Sequence, residues 1–190
     1  LAEDWFQEHS NRSFFFGAHF EDLIFYDGVM HGKPGFVVDG EVRAFTFNGR
    51  DQYAELPGEV ADVGQITLDL SFRWAGGTGR QTLYDFGTSL GDRFVLSSLP
   101  DGRLTLATVR KATSQTLVVQ RPIVPRKWTN GRVEMDGQKI RLWVNGILAA
   151  ERASEYRAAD AFAAGRSRIS FLAAGRGGKE FFNGAIDHLR

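Results

Sequence analysis

The chain has 190 residues, 43% of them hydrophobic and 13% aromatic, with Phe 16 times, which suits one β-sandwich-sized domain with a sizeable core. Lys and Arg total 23 and Asp and Glu total 23, giving a formal charge of +0; a general binder of nucleic acid or acidic membranes needs an excess of basic charge, so only a local basic patch is left open. Cysteine is absent, which removes disulfides, thiolate nucleophiles and Cys-based zinc sites, and no run reaches the length of a transmembrane helix.

Residues 1–13 are polar, anchored by Trp5 and Phe6, and read as an arm or short helix. No signal peptide is visible and the chain opens on Leu1, so the expectation is a domain cut from a larger protein or a processed mature form. From residue 14 the pattern is β, as one domain over 14–190. Turn dipeptides recur at Asp27-Gly28, Asp39-Gly40, Asn48-Gly49, Asp101-Gly102, Asn130-Gly131, Asp136-Gly137, Asn145-Gly146 and Asn183-Gly184. In Ile66–Trp74 the residues Ile66, Leu68, Leu70, Phe72 and Trp74 share one face, which places Trp74 in the core. Further strands are expected at Leu83–Phe86, Phe94–Ser97, Arg103–Val109, Thr116–Gln120, Arg132–Asp136, Ile169–Ala173 and Ala185–Leu189. Ile140, Leu142 and Val144 alternate with Lys139, Arg141 and Trp143, and Asn145-Gly146 tolerates the positive φ angles of a two-residue hairpin turn. The Ala-rich run Glu155–Ala164 favours helix and reads as a short helix or turn inserted between strands, packing Tyr156 and Phe162 on the sandwich. Strands of this number with short turns predict an all-β, two-sheet antiparallel sandwich.

Five segments, in order, resemble the laminin-G-like jelly-roll domains of the concanavalin A-like lectin/glucanase superfamily. Ala44–Pro57 is similar to the opening pattern F-x-G-x-x-D-Y-V-x-I-P, and Phe72-Arg73-Trp74 to the F-W strand. Arg126–Thr129 resembles the N-x-W-x-H approach to a long hairpin, Lys139–Leu148 the L-x-L-Y-V-N-G strand, and Phe182–Arg190 the closing F-x-G-x-I-D-x-V-R. The resemblance covers roughly residues 36–190 and implies a concanavalin A-like jelly roll. It also implies a buried Trp128, an extracellular or periplasmic setting, and an activity the fold does not settle, because members include glycan-binding modules, adhesion modules and glycosidases.

Glycosidases of the superfamily place two carboxylates on one strand face. The nearest pattern is Glu134-Met135-Asp136, where Gly137 makes Asp136 a turn residue, so a hairpin is the expectation and catalysis is not. Lyase chemistry by a Tyr/His pair has no arrangement readable from His9, His19, His31 or His188. The resemblance implies a structural calcium ion held by Asp187 and by backbone carbonyls near Asn48-Gly49, with Asp22 as a further candidate. For a sugar site, which pairs an aromatic plate with planar polar groups, the candidates are Tyr84, Asp85 and Trp143, with Trp143 equally readable as cover for the inserted helix. Arg110-Lys111 at a strand end and Arg176 with Lys179 in the glycine-rich loop Ala174–Gly178 add charge at the rim. The reading is a non-catalytic recognition module of an exported multidomain protein, binding a glycan, with a structural or protein-interaction module as the first alternative and a glycosidase or lyase as the second.

Overall fold

The computed structural model describes residues 28–40, 42–163 and 169–190, with only the backbone of Glu59 and Val60. The expected arm over 1–13, the start of the domain at 14, and Asp22 lie outside the described residues. Among those described, 14 strands form in chain order: β1 (Val29–His31), β2 (Gly35–Asp39), β3 (Val42–Asn48), β4 (Tyr53–Pro57), β5 (Ile66–Trp74), β6 (Gln81–Gly87), β7 (Arg93–Ser98), β8 (Leu104–Arg110), β9 (Thr113–Val118), β10 (Trp128–Met135), β11 (Lys139–Val144), β12 (Ile147–Ala153), β13 (Ile169–Leu172) and β14 (Asn183–Leu189). They build two antiparallel sheets of seven strands each. Sheet A runs β1-β4-β13-β6-β7-β8-β9, and sheet B runs β12-β11-β10-β5-β14-β3-β2. This is the jelly-roll sandwich expected from the alternation.

Period-2 alternation puts one row of each strand between the sheets. In β5 the buried row is Leu68, Leu70, Phe72 and Trp74, with Trp74 in the core as read. Sheet A answers with Leu56, Tyr84, Phe86, Phe94, Leu96, Leu104 and Leu106. The aromatic rings pack edge to face, Phe86 on Phe94 at 5.5 Å and Phe72 on Phe182 at 6.2 Å between centroids. Asn145 and Gly146 take φ of 51° and 77°, the pair of left-handed residues that a tight β11–β12 turn needs.

Three expectations change. Asn130-Gly131 is no turn: Gly131 sits inside β10, paired to Leu70 and Val144. Asn183-Gly184 likewise opens β14 rather than preceding it. The insertion, by contrast, is as expected: a single 3-10 turn, Ala158–Phe162, with Tyr156 and Phe162 buried. Trp128 is half-buried on the outward face of sheet B, not core. Its indole N–H donates to Asp39 Oδ2 at 3.1 Å, and the Arg73 guanidinium lies 5.3 Å from its ring centroid. The inward row of β10 is Thr129, Gly131, Val133 and Met135, so the same alternation that buries Val133 turns Trp128 outward.

Candidate functional site

The inward rows lose their apolar character at one end of the sandwich. In β8, Leu104 and Leu106 face the core, and the same row continues as Thr108 and Arg110. Lys111 and Ala112 turn with φ of 50° and 62°, and β9 returns with Gln115 in the inward row ahead of Leu117. Across the gap in sheet B, Arg152 pairs with buried Ile140 and so faces inward. Its guanidinium spans the two sheets: Nη1 donates to Gln115 Oε1 at 2.6 Å and Nη2 to Thr108 Oγ1 at 2.5 Å. Burial draws the Arg152 pKa below the ordinary arginine value.

Hydrogen-bonding side chains thus hold the sheets apart where apolar ones would close them. The result is a cleft of about 750 Å³, with Thr108, Arg110, Gln115, Gln138, Glu155 and Tyr156 among the residues around it. The β10–β11 turn brings Gln138 to the rim. Asp160 accepts from the Arg157 backbone N–H at 2.9 Å to start the 3-10 turn, and its carboxylate lies 3.4 Å from Arg110. Tyr156 is 7% exposed, and its hydroxyl has no hydrogen-bond partner among the described residues. Burial first, then the charges of Asp160 and Asp92, push its pKa up, which keeps the phenol a neutral donor.

Of the ligand residues read from the sequence, Arg110 lies in this cleft. Tyr84 does not: it is core, stacked on Phe86 at 5.0 Å. Asp85 is fully buried (0% exposed) on the opposite face of β6. It accepts from Arg93 Nη1 at 2.7 Å and from the Arg176 backbone N–H at 2.8 Å. The Arg176 guanidinium donates to the carbonyls of Gly87 and Ile169 and covers the Phe171 ring at 5.0 Å. Asp85 and Arg176 therefore meet, but as a clamp that fastens the β13–β14 connection to β6, with no surface left on Asp85 for a sugar. Trp143 is half-buried on the outward face of sheet B, opposite Arg132 and away from the cleft.

The two carboxylates Glu134 and Asp136 converge on Arg141, whose Nη1 stands 3.7 Å and 3.0 Å from them. Asp136 Oδ1 accepts the backbone N–H groups of Lys139 at 2.6 Å and Gln138 at 2.8 Å. These bonds, and then Arg141, hold its pKa at about 2, so Asp136 is a turn-forming anion and no proton donor. His31 stacks on Tyr53 at 4.4 Å. Burial and Glu55 raise the Tyr53 pKa, the direction opposite to the one a phenolate base needs.

Of the calcium ligands implied by the resemblance, the two described, Asn48 and Asp187, stand apart along the sheet. Asn48 pairs with Asn183, four residues before Asp187, or about 13 Å along β14. Asn48 Oδ1 accepts the backbone N–H groups of Arg50 and Asp51, whereas Asp187 Oδ2 meets His188 Nδ1 at 2.8 Å. Among the described residues no group of three or more His, Asp or Glu is placed to hold a metal.

Sequence reasoning missed Gln115, Gln138, Arg152, Glu155 and Tyr156 as a site. The available signal was Arg152, an arginine at an inward strand position, which requires a polar opening in the core.

A family model described as the concanavalin A-like lectin/glucanases superfamily matches residues 48–190. The chain belongs to this superfamily. Comparison with curated proteins finds no match. Among solved structures, domain 4 of AbnA, a GH43 extracellular arabinanase of Geobacillus stearothermophilus determined with arabinotriose, is similar at a TM-score of 0.70 and 20% identity, over 86% of this chain and 81% of that one. The CBM40 of the Ruminococcus gnavus IT-sialidase, bound to α2,3 sialyllactose, is similar at 0.59 and 19% identity, over 69% and 76%. Domains LG4-5 of the mouse laminin α1 chain give 0.63 and 18%, over 83% and 42%. At these identities the likeness carries the fold.

Proposed function

We propose that this superfamily member is a non-catalytic glycan-recognition module of a larger exported protein, working outside the cell or in a periplasm, and that the inter-sheet cleft is its binding site. The observation that carries the reading is the cleft's chemistry: two amides, a hydroxyl, an arginine and a carboxylate converge on one concavity, with a buried phenol whose hydrogen bond is unmade. Sugars present arrays of hydroxyls that need paired donors and acceptors, and Gln115, Gln138, Glu155 and Arg110 offer both. Glycan-bound relatives such as the arabinotriose and sialyllactose complexes support the class of ligand. The anionic Asp136 and the raised Tyr53 pKa support a binding role over hydrolysis or elimination.

The test is a glycan microarray followed by calorimetry and thermal melting with the retained glycan, comparing the parent with Tyr156→Phe. A ligand at 100 times its Kd should stabilise the parent by about 2.7 kcal/mol. Deleting a buried hydroxyl that has no partner should leave the melting temperature of the free protein unchanged or higher, while glycan affinity falls roughly 5- to 10-fold for one lost hydrogen bond. Equal affinity in parent and variant removes the cleft from the reading; no retained glycan removes the glycan. A protein-interaction role then rests on the β11–β12 hairpin, which exposes Ile147 at 67% and Leu148 at 41%.

A further inference from the structure

The chain is neutral as a whole, yet the end of the sandwich opposite the cleft is not. Three loops meet there: 75–80 between β5 and β6, 99–103 between β7 and β8, and 119–127 between β9 and β10. The Ile123 N–H donates to Gly102 O at 2.9 Å, and the Arg126 N–H to Trp74 O at 2.7 Å, so the third loop is tied to the second and to the end of β5. Pro122 and Pro125 stiffen the backbone between these ties, and Arg126 is held at φ 62°. On this platform Arg80, Arg121, Arg126 and Lys127 are all exposed. The one carboxylate on the three loops, Asp101, is already taken by Arg103 at 2.7 Å. Among the described residues none of the four exposed cations forms an ion pair. The adjoining β13–β14 connection adds exposed Lys179 and Glu180, which offset each other.

We propose that this loop end binds a polysaccharide chain bearing carboxylate or sulfate groups. Like charges fixed on one rigid rim repel each other until an anion lies across them, and guanidinium groups match both carboxylate and sulfate oxygens. A single-stranded nucleic acid needs exposed aromatic side chains on which to stack its bases; these loops expose Val124 and no aromatic ring. The residues are distinct from those of the cleft, so either site can fail without the other.

The experiment measures retention of the whole protein on immobilised polygalacturonate, dextran sulfate, neutral dextran and double-stranded DNA, with the variant R121Q/R126N/K127Q beside the parent. Asn at 126 tolerates the left-handed backbone, and Arg80→Gln serves as a second variant that touches no loop tie. Retention on polygalacturonate and dextran sulfate assigns carboxylate as sufficient, and retention on dextran sulfate alone assigns sulfate. In either case log K should fall linearly with log salt, and the slope should shrink by about 1 for each cation removed. Retention on DNA equal to that on the polysaccharides, no retention on either polysaccharide, or unchanged retention in both variants at parental melting temperature would overturn the proposal.

Discussion

Asp136 shows how one side chain is committed to structure although its chemical type suits catalysis. Its carboxylate is held at about 2, against an ordinary 3.8, chiefly by the backbone N–H groups of Lys139 and Gln138. A lowered acid stabilises the fold at every pH above its unfolded value, and that contribution is lost as the pH falls through the folded value. Replacing Asp136 by Ala should therefore lower the melting temperature at pH 7. The gap from the parent should narrow between about pH 4 and pH 2. A gap of constant size across that range would show that the charge plays no part. The same type of residue at Asp85 is spent differently, inside a clamp with Arg93 and Arg176. In both cases the sequence shows a carboxylate beside a turn or an aromatic residue, and only the geometry shows what holds it.

The loop elements respond to substitution where their backbones are committed. Gly102 turns at φ 83°, and a Cβ there would meet the Trp74 ring and the Ile123 carbonyl at 3.0 Å. Gly102→Ala should cost about 1–3 kcal/mol in denaturant unfolding; a loss below a few tenths would mean that the loop gives way freely. Turn chemistry of this kind is local and was readable at Asn145-Gly146, where the chain does reverse. It misled at Asn130-Gly131, because Gly131 is gripped between Leu70 and Val144 on two neighbouring strands, and register between distant strands outweighs a dipeptide preference. Alternation placed Trp74 correctly and, followed strictly through Val133 and Met135, also turns Trp128 outward; the family pattern suggested the reverse. The cleft was the least legible part, since it depends on Thr108, Gln115 and Arg152 coming together from two sheets, a contact that no stretch of sequence contains.

At the scale of the whole molecule, stability rests on the shared core, where the Phe72 ring is fully buried. It meets Phe182 edge to face, and a Cβ placed on Gly131 would stand 3.5 Å from its ring. Phe72→Ala should cost about 3–5 kcal/mol, a large share of the ~5–15 kcal/mol that holds a domain together. Chemical denaturation reads this directly, and a cost under about 1 kcal/mol would show that the core refills the space. Topology adds a constraint on time. β14 is the last strand of the order, yet it sits in the interior of sheet B between β5 and β3. From Trp74 to Asn183 the ribosome adds 109 residues (183 − 74), which at about 5–20 residues per second takes roughly 5–20 s. Through that interval β3 and β5 each present an open edge waiting for the same missing partner. Sheet B therefore stays divided until β14 emerges, and the facing edges of β3 and β5 depend on shielding until that strand closes them.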